Sequence, residues 1–378
     1  MSIKSKYHPG AYTFVAPFQT GDYLTSATED DVFLGAQIVY TWRELENGGA
    51  GVYDFSRITS DLATLQAAGK RLWIQINDVW FVDGAAYYPC PDYIITYGGQ
   101  VALTGGGYIA TRWDSYVTQQ YNALLAALGT AFDGEAYIEG INMPETAIAL
   151  DDESCVSFSG TFTHQLYYTM MASRQAALTA AFPNTHAVHY VTHWPNCVYA
   201  RNMFTQKLRS NAIALDLGIG GPDLITNNKF LNVTAFPNFR KVRGVYPLAG
   251  AVQYSDFRQS FTTKQIMQRV FEDLRMDYGF FRYQDADLVR DDIGLYVQPP
   301  HIISTGVAVA GYVDVDVYCG TPGASIYYET GYNPDLPDKR TSTLLVGSTV
   351  SVINGGNIIA KAYVGSVESN FTRLRVAV

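Results

Sequence analysis

GAQIVYTWRELENGGAGVYDFSRITSDLATLQAAGKRLWIQIND, residues 35–78, is the stretch that decides the fold of this chain. It reads as strand, loop, helix, strand. Ile58, Leu62 and Leu65 recur at helical spacing, and Gly69 stands where a helix C-cap belongs. Arg71–Ile76 (RLWIQI) is a continuous apolar run, the form of a strand buried on both faces. Tyr40, Trp42, Arg43, Glu44 and Glu46 cluster where the first strand of the unit ends. In a parallel barrel, residues at that end line the active-site mouth.

Further strands are expected at Tyr12–Gln19, Ala136–Asn142, His186–Trp194, Ala214–Gly218, Arg243–Tyr254 and Phe280–Tyr283, with Phe33–Thr41 completing the strand at the opening stretch. Helices are expected at Asp114–Leu128, Thr163–Phe182, Val198–Asn211 and Thr263–Tyr278. Strands alternating with helices imply a parallel sheet. Eight such units, with no Gly-rich dinucleotide fingerprint after the first strand, favour a (β/α)8 TIM barrel over a doubly wound sheet. A long insertion, Asp78–Thr111, is rich in Gly, Tyr and Pro and is expected to wall a cleft. After Asp292 the texture changes to short β-rich runs separated by turns, with Pro299-Pro300 as a hinge. The expected organisation is a barrel over residues 1–295 and an immunoglobulin-like β-sandwich over 300–378.

Composition narrows the class. Apolar residues make up 48% of the 378, enough for a large core, and the net charge is −9. That balance argues against nucleic-acid binding, which usually shows a basic stripe. The 28 Tyr offer flat apolar faces with polar edges, suited to sugar rings, although most are expected in the core and at interfaces. No run approaches the ~18 apolar residues of a membrane span. The start, MSIKSKYHPG, has no apolar leader core. Synthesis in the cytoplasm, with action outside the cell or on a phage virion, is the expectation. Cys90, Cys155, Cys197 and Cys319 show no zinc spacing. The acidic clusters Asp151-Asp152-Glu153 and Asp285-Ala286-Asp287 lack a calcium-loop pattern, so neither metal nor organic cofactor is expected. Oligomeric state and cysteine pairing are open.

Trp42-Arg43-Glu44-Leu45-Glu46 followed by Gly51-Val52-Tyr53-Asp54-Phe55-Ser56 resembles the early barrel segment of many glycoside hydrolases. Gly320-Thr321-Pro322-Gly323-Ala324-Ser325-Ile326-Tyr327-Tyr328, with Ile358–Tyr363, resembles the chitobiase-type C-terminal domain found beside such barrels, a mostly structural module. The resemblance implies two carboxyl groups across a glycosidic bond, contributed by the fourth and seventh strands. In the fourth, Asn142 and Pro144 sit where the clan's Asn-Glu-Pro phrase would put them, but Met143 holds the acid position and Glu145 follows two residues later. Glu145 is the expected acid if a bulge re-aims the chain. Glu139 is the other carboxyl there, with an interior structural role paired to Arg or Tyr as its alternative. The seventh strand offers Gln253 where a Glu would be needed, leaving Asp256 or Asp223 as second carboxyl. Asp256 could equally cap a helix or turn, and Asp223, after Pro222, could shape a turn. Expected substrate contacts are Tyr40, Trp42, Arg43, Gln75, Asn77, Trp80, Asn142, His193, Trp194 and Gln253, with Trp113 a further aromatic candidate. The chemistry implied is hydrolysis of a polysaccharide or complex glycan. The alternative is a catalytically silent glycan-binding barrel serving as a virion or cell-surface component.

Overall fold

The computed structural model describes residues 6–103, 105–148, 162–192, 194, 200–222, 224, 236–237, 239, 247–252, 261–286, 289, 299–321, 323–338, 342–364, 367–370 and 372–376. Eight parallel strands close on themselves: β1 (Gly10–Val15), β2 (Gly35–Thr41), β3 (Arg71–Asn77), β4 (Ile138–Met143), β5 (His186–Tyr190), β6 (Gly218–Gly221), β7 (Leu248–Val252) and β8 (Tyr278–Arg282). Each pairs with its sequence neighbours and β8 pairs with β1. Among the helices packed outside are α1 (Ser56–Ala67), α2 (Ser115–Phe132), α3 (His164–Ala181) and α4 (Ala200–Ala214). Asp114 and Thr163 cap α2 and α3 by accepting from the amides of Val117 and Leu166. Gly69, at φ +70°, closes α1 as expected.

Strand parity sorts the wall residues. Tyr12, Trp73, Val188, Tyr190, Ala249, Ala251, Tyr278 and Phe280 fill the barrel interior. Ile38, Tyr40, Leu72, Ile74, Ile141, Met143 and Phe281 belong to the layer between strands and helices. One irregularity matters. Leu72 pairs with Ile138 but Trp73 pairs with Gly140, so Glu139 is an extra residue in β4. This bulge puts both Glu139 and Asn142 on the interior side, three positions apart, where strict alternation would separate them.

The sixth strand lies further along than expected. Helix α4 runs to Ala214, and the turn through Asp216 (φ +57°) delivers the glycine run 218–221 as the strand. The insertion is not structureless: it holds a three-stranded antiparallel sheet (Val79–Trp80, Gln100–Ala102, Tyr108–Ala110) and a helical turn at Asp92–Tyr97.

From His301 the chain forms two antiparallel sheets. One is β9 (His301–Val309), β10 (Tyr312–Tyr318) and β13 (Thr349–Ile353). The other comprises β11 (Ser325–Gly331), β12 (Thr343–Leu344), β14 (Asn357–Val364), β15 (Val367–Glu368) and β16 (Thr372–Arg375). Val313, Val315, Val317, Val350 and Val352 of the first meet Ile358 and Ala360 of the second in one core, which makes a sandwich. The sandwich packs on the N-terminal end of the barrel. Tyr318 lies edge-on to Tyr7 at 4.8 Å, Ile303 joins the interior cluster, and His301 Nδ1 is 3.0 Å from Asp277 Oδ1. Among the described residues, no helix is long and apolar enough to cross a membrane.

Candidate active site

A cavity of about 530 Å³ opens where the barrel strands end at their C-termini. All eight strands or the residues following them contribute: Phe14 from β1 with Ala16 and Pro17 after it, Val39 from β2, Gln75 and Asn77 from β3, Pro144 and Glu145 after β4. Tyr190 comes from β5, Pro222 follows β6, Ala251 lies in β7 and Arg282 ends β8. The insertion adds Val79, Trp80 and Phe81 as one wall. Phe18, at φ +60°, braces that wall edge-on to Trp80 at 5.6 Å and Tyr87 at 5.3 Å.

The floor is a bonded polar layer. Asn142 Oδ1 accepts from Trp73 Nε1 and Gln37 Nε2, both at 2.8 Å, and Gln37 Nε2 also reaches Tyr190 Oη at 3.1 Å. Burial chiefly, with the Glu145 charge adding to it, pushes the Tyr190 phenol up, so it stays neutral. Above this layer Gln75 and Asn77 are 8% and 6% exposed, and Gln75 Oε1 and Asn77 Oδ1 have no hydrogen-bond partner among the described residues. Buried amide oxygens facing a cavity in this state are built to receive donors. Glu145 is the one carboxylate among the described lining residues, and Thr192 Oγ1 donates to its Oε2 at 3.3 Å.

The remaining expected residues fall elsewhere. Glu139 lies at the opposite, N-terminal end. Its Oε1 accepts from the His8 amide (2.5 Å) and the Tyr278 hydroxyl (2.7 Å), and its Oε2 is 2.9 Å from His8 Nδ1, with Arg71 at 3.7 Å. This is the paired, interior setting of its structural alternative, away from the mouth. Asn142 sits one layer beneath the cavity. Tyr40 points outward, donating to Asp61 Oδ2 on α1 at 2.8 Å. Trp42 begins a short helix, Trp42–Leu45, and is fully buried, its Nε1 donating to Glu46 Oε2 at 2.6 Å. Arg43 bridges Asp92 at 2.7 Å. Trp194 stacks on Phe204 between α3 and α4, and Trp113 packs edge-on to Phe162. Met143, in the resembling clan's acid position, faces the helices. Asp223, Gln253, Asp256 and His193 lie outside the described residues, as do Cys155, Cys197 and the cluster at 151–153. No group of His, Cys, Asp and Glu suited to a metal ion occurs among the described residues.

Arg282, Tyr190 and Phe14 belong to the cavity and were not anticipated. Parity could have found Arg282, since it ends β8 two residues after the inward-facing Phe280.

The class defined by this geometry is a (β/α)8 barrel with a mixed polar and aromatic cleft at the strand C-termini. No family model matches the chain and no curated protein is similar to it. Among solved structures it is similar to the catalytic domain of β-amylase from Paenibacillus polymyxa, with a TM-score of 0.53 and 10% identity over 76% of this chain and 95% of that one. It is also similar to endo-glycoceramidase II from Rhodococcus sp. (TM-score 0.47, 12% identity, 91% and 97% covered). A third is β-mannanase from the blue mussel Mytilus edulis (0.46, 11%, 75% and 91%). At such identity the β-amylase likeness is one of fold, and it agrees with the closed barrel seen here.

Proposed function

We propose that this chain is a glycoside hydrolase acting on a polysaccharide or complex glycan, with Glu145 as the general acid. The observation that carries the reading is the pair of unpartnered buried oxygens, Gln75 Oε1 and Asn77 Oδ1, lining the same cavity as Glu145. Sugar hydroxyls supply the donors these oxygens lack. Trp80 and Phe81 present apolar faces to the C–H side of a ring. The β-amylase likeness supports the same direction. A second carboxyl is needed as base or nucleophile, and Asp223 and Asp256 are the residues we propose for it. We also propose the division into a barrel at 1–295 and a chitobiase-type, structural module at 300–378.

The rival is a barrel that binds glycan without cutting it, as a virion or cell-surface component. Met143 facing the helices, and the single carboxylate among the described lining residues, favour that rival. A panel of glycans assayed for new reducing ends separates the two. Wild type is expected to release them and Glu145→Gln to lose about 10²–10⁴-fold in kcat while still binding oligosaccharide. Glycan binding by the wild type without turnover would reject hydrolysis.

A further inference from the structure

We propose that Arg112 is a positioning residue for Glu145, acting through the main chain that carries the carboxyl; this rests on the role given to Glu145 above. Asp78 follows β3, Arg112 closes the insertion and Arg174 lies on α3, and all three side chains are buried. Arg112 Nε and Nη2 bond Asp78 Oδ1 at 3.0 and 2.5 Å, and Arg174 Nη1 bonds Oδ2 at 2.7 Å. That leaves Arg112 Nη1, which donates to the carbonyls of Glu145 (2.7 Å) and Ala147 (3.3 Å). The carbonyl between them, of Thr146, accepts from the Tyr167 hydroxyl of α3 at 2.8 Å.

Three consecutive carbonyls are therefore held by buried side chains from two different elements. On the other side, the Thr146 amide donates to the Tyr190 carbonyl at 3.0 Å and Thr146 Oγ1 accepts from the Thr192 amide at 3.2 Å. The segment is neither strand nor helix, yet its backbone is tied to the insertion, α3 and the end of β5. Arginine suits this place because a planar fork engages a carboxylate with one edge and carbonyls with another. A lysine ammonium cannot span both. Displacing a reacting group by about 1 Å can cost ~10²-fold in rate, so the tether bears on turnover more than on substrate binding.

The charge count keeps the test clean. Without Arg112, Asp78 still pairs with Arg174, so Arg112→Gln loses the carbonyl tethers without stranding a buried carboxylate. The control is Arg174→Met, which removes an ion pair to the same Asp78 but no bond to the Glu145 segment. In Arg112→Gln we expect kcat on a cleaved glycan to fall ~30-fold or more with KM within about threefold of wild type. Arg112→Lys should fall between the two, and Arg174→Met should stay near wild type in kcat. Hydrogen–deuterium exchange of the same proteins should show the amides of residues 145–148 exchanging at least about tenfold faster in Arg112→Gln alone. A folded Arg112→Gln with unchanged exchange there, or with a kcat loss no larger than that of Arg174→Met, overturns the proposal. If no glycan is cleaved by the wild type, the hydrolase reading falls and the exchange comparison still decides whether Arg112 fixes this segment.

Discussion

Trp73 and Gly140 face each other across β3 and β4, and a Cβ at residue 140 would stand 2.3 Å from the Trp73 ring. The ring has no room to retreat, since its Nε1 bonds Asn142 and its faces pack on Tyr278 at 4.5 Å and Phe280 at 5.2 Å. Gly140→Ala should therefore destabilise the barrel by ~1–3 kcal/mol, the usual cost of overpacking. Urea denaturation would measure it, and an unchanged midpoint would show that the floor can repack.

Trp42 tests which side of the wall the opening stretch presents. Trp42→Phe removes the donor to Glu46 Oε2 and leaves a fully buried carboxylate oxygen short of a bond. The expected cost is ~1–3 kcal/mol in stability, with glycan affinity unchanged. A large loss of affinity at constant stability would instead put Trp42 in the cleft.

Gln75 and Asn77 should act on binding. Asn77→Ala removes one orphan acceptor from the cavity, and a lost sugar hydrogen bond of ~1 kcal/mol corresponds to a several-fold rise in KM or Kd. Isothermal titration with an oligosaccharide reads it directly. Equal affinities for wild type and variant would mean the cavity is not where the sugar sits.

His189 sets a pH dependence. Its Nδ1 lies 2.8 Å from the Gln175 amide nitrogen of α3, and burial first, then the charges of Arg112 and Arg174, push its pKa down to about 3. The unfolded imidazole takes a proton near pH ~6.5. Between those values only the unfolded chain is protonated, so stability contributed above ~6.5 is lost as pH falls toward 3, at up to ~1.4 kcal/mol per pH unit. Denaturant midpoints at pH 7 and pH 5 should differ less in His189→Gln than in wild type. Parallel slopes would exclude His189 as the source. Asp78 adds its own loss at lower pH. Burial alone would raise its pKa, but Arg112 and Arg174 outweigh burial and hold it below the ordinary carboxylate value, so its contribution goes only as pH drops through that lowered range.

Apolar runs with clear periods made β2, α1 and β3 legible within two residues. β6 was displaced because its four residues, Gly-Ile-Gly-Gly, carry no strand pattern. They are glycines for a tertiary reason: a Cβ at Gly220 would stand 1.9 Å from the Ala249 carbonyl oxygen. At the site, Gln75, Asn77, Trp80 and Glu145 reach the cavity, and they could be placed because they end strands or follow them. Tyr40 and Trp42 lie on the other side of the wall. Thr41-Trp42-Arg43-Glu44 is a capping box, with Thr41 Oγ1 accepting from the Glu44 amide. That signal starts a helix at Trp42 and turns the indole away from the mouth. Arg112 carried no local signal at all, because its partners are 34 and 33 residues away.

The aromatic layer beneath the cleft has one more consequence. Trp73, Tyr278 and Phe280 plug the barrel, and Tyr7 and Tyr318 pack edge-on behind them where the sandwich sits. Among the described residues, the hollow is thus a cup whose base is filled by side chains. On the hydrolase reading proposed above, a polymer is not threaded through the barrel axis: it lies across the rim or dips one end in, and both products leave on the side from which it came.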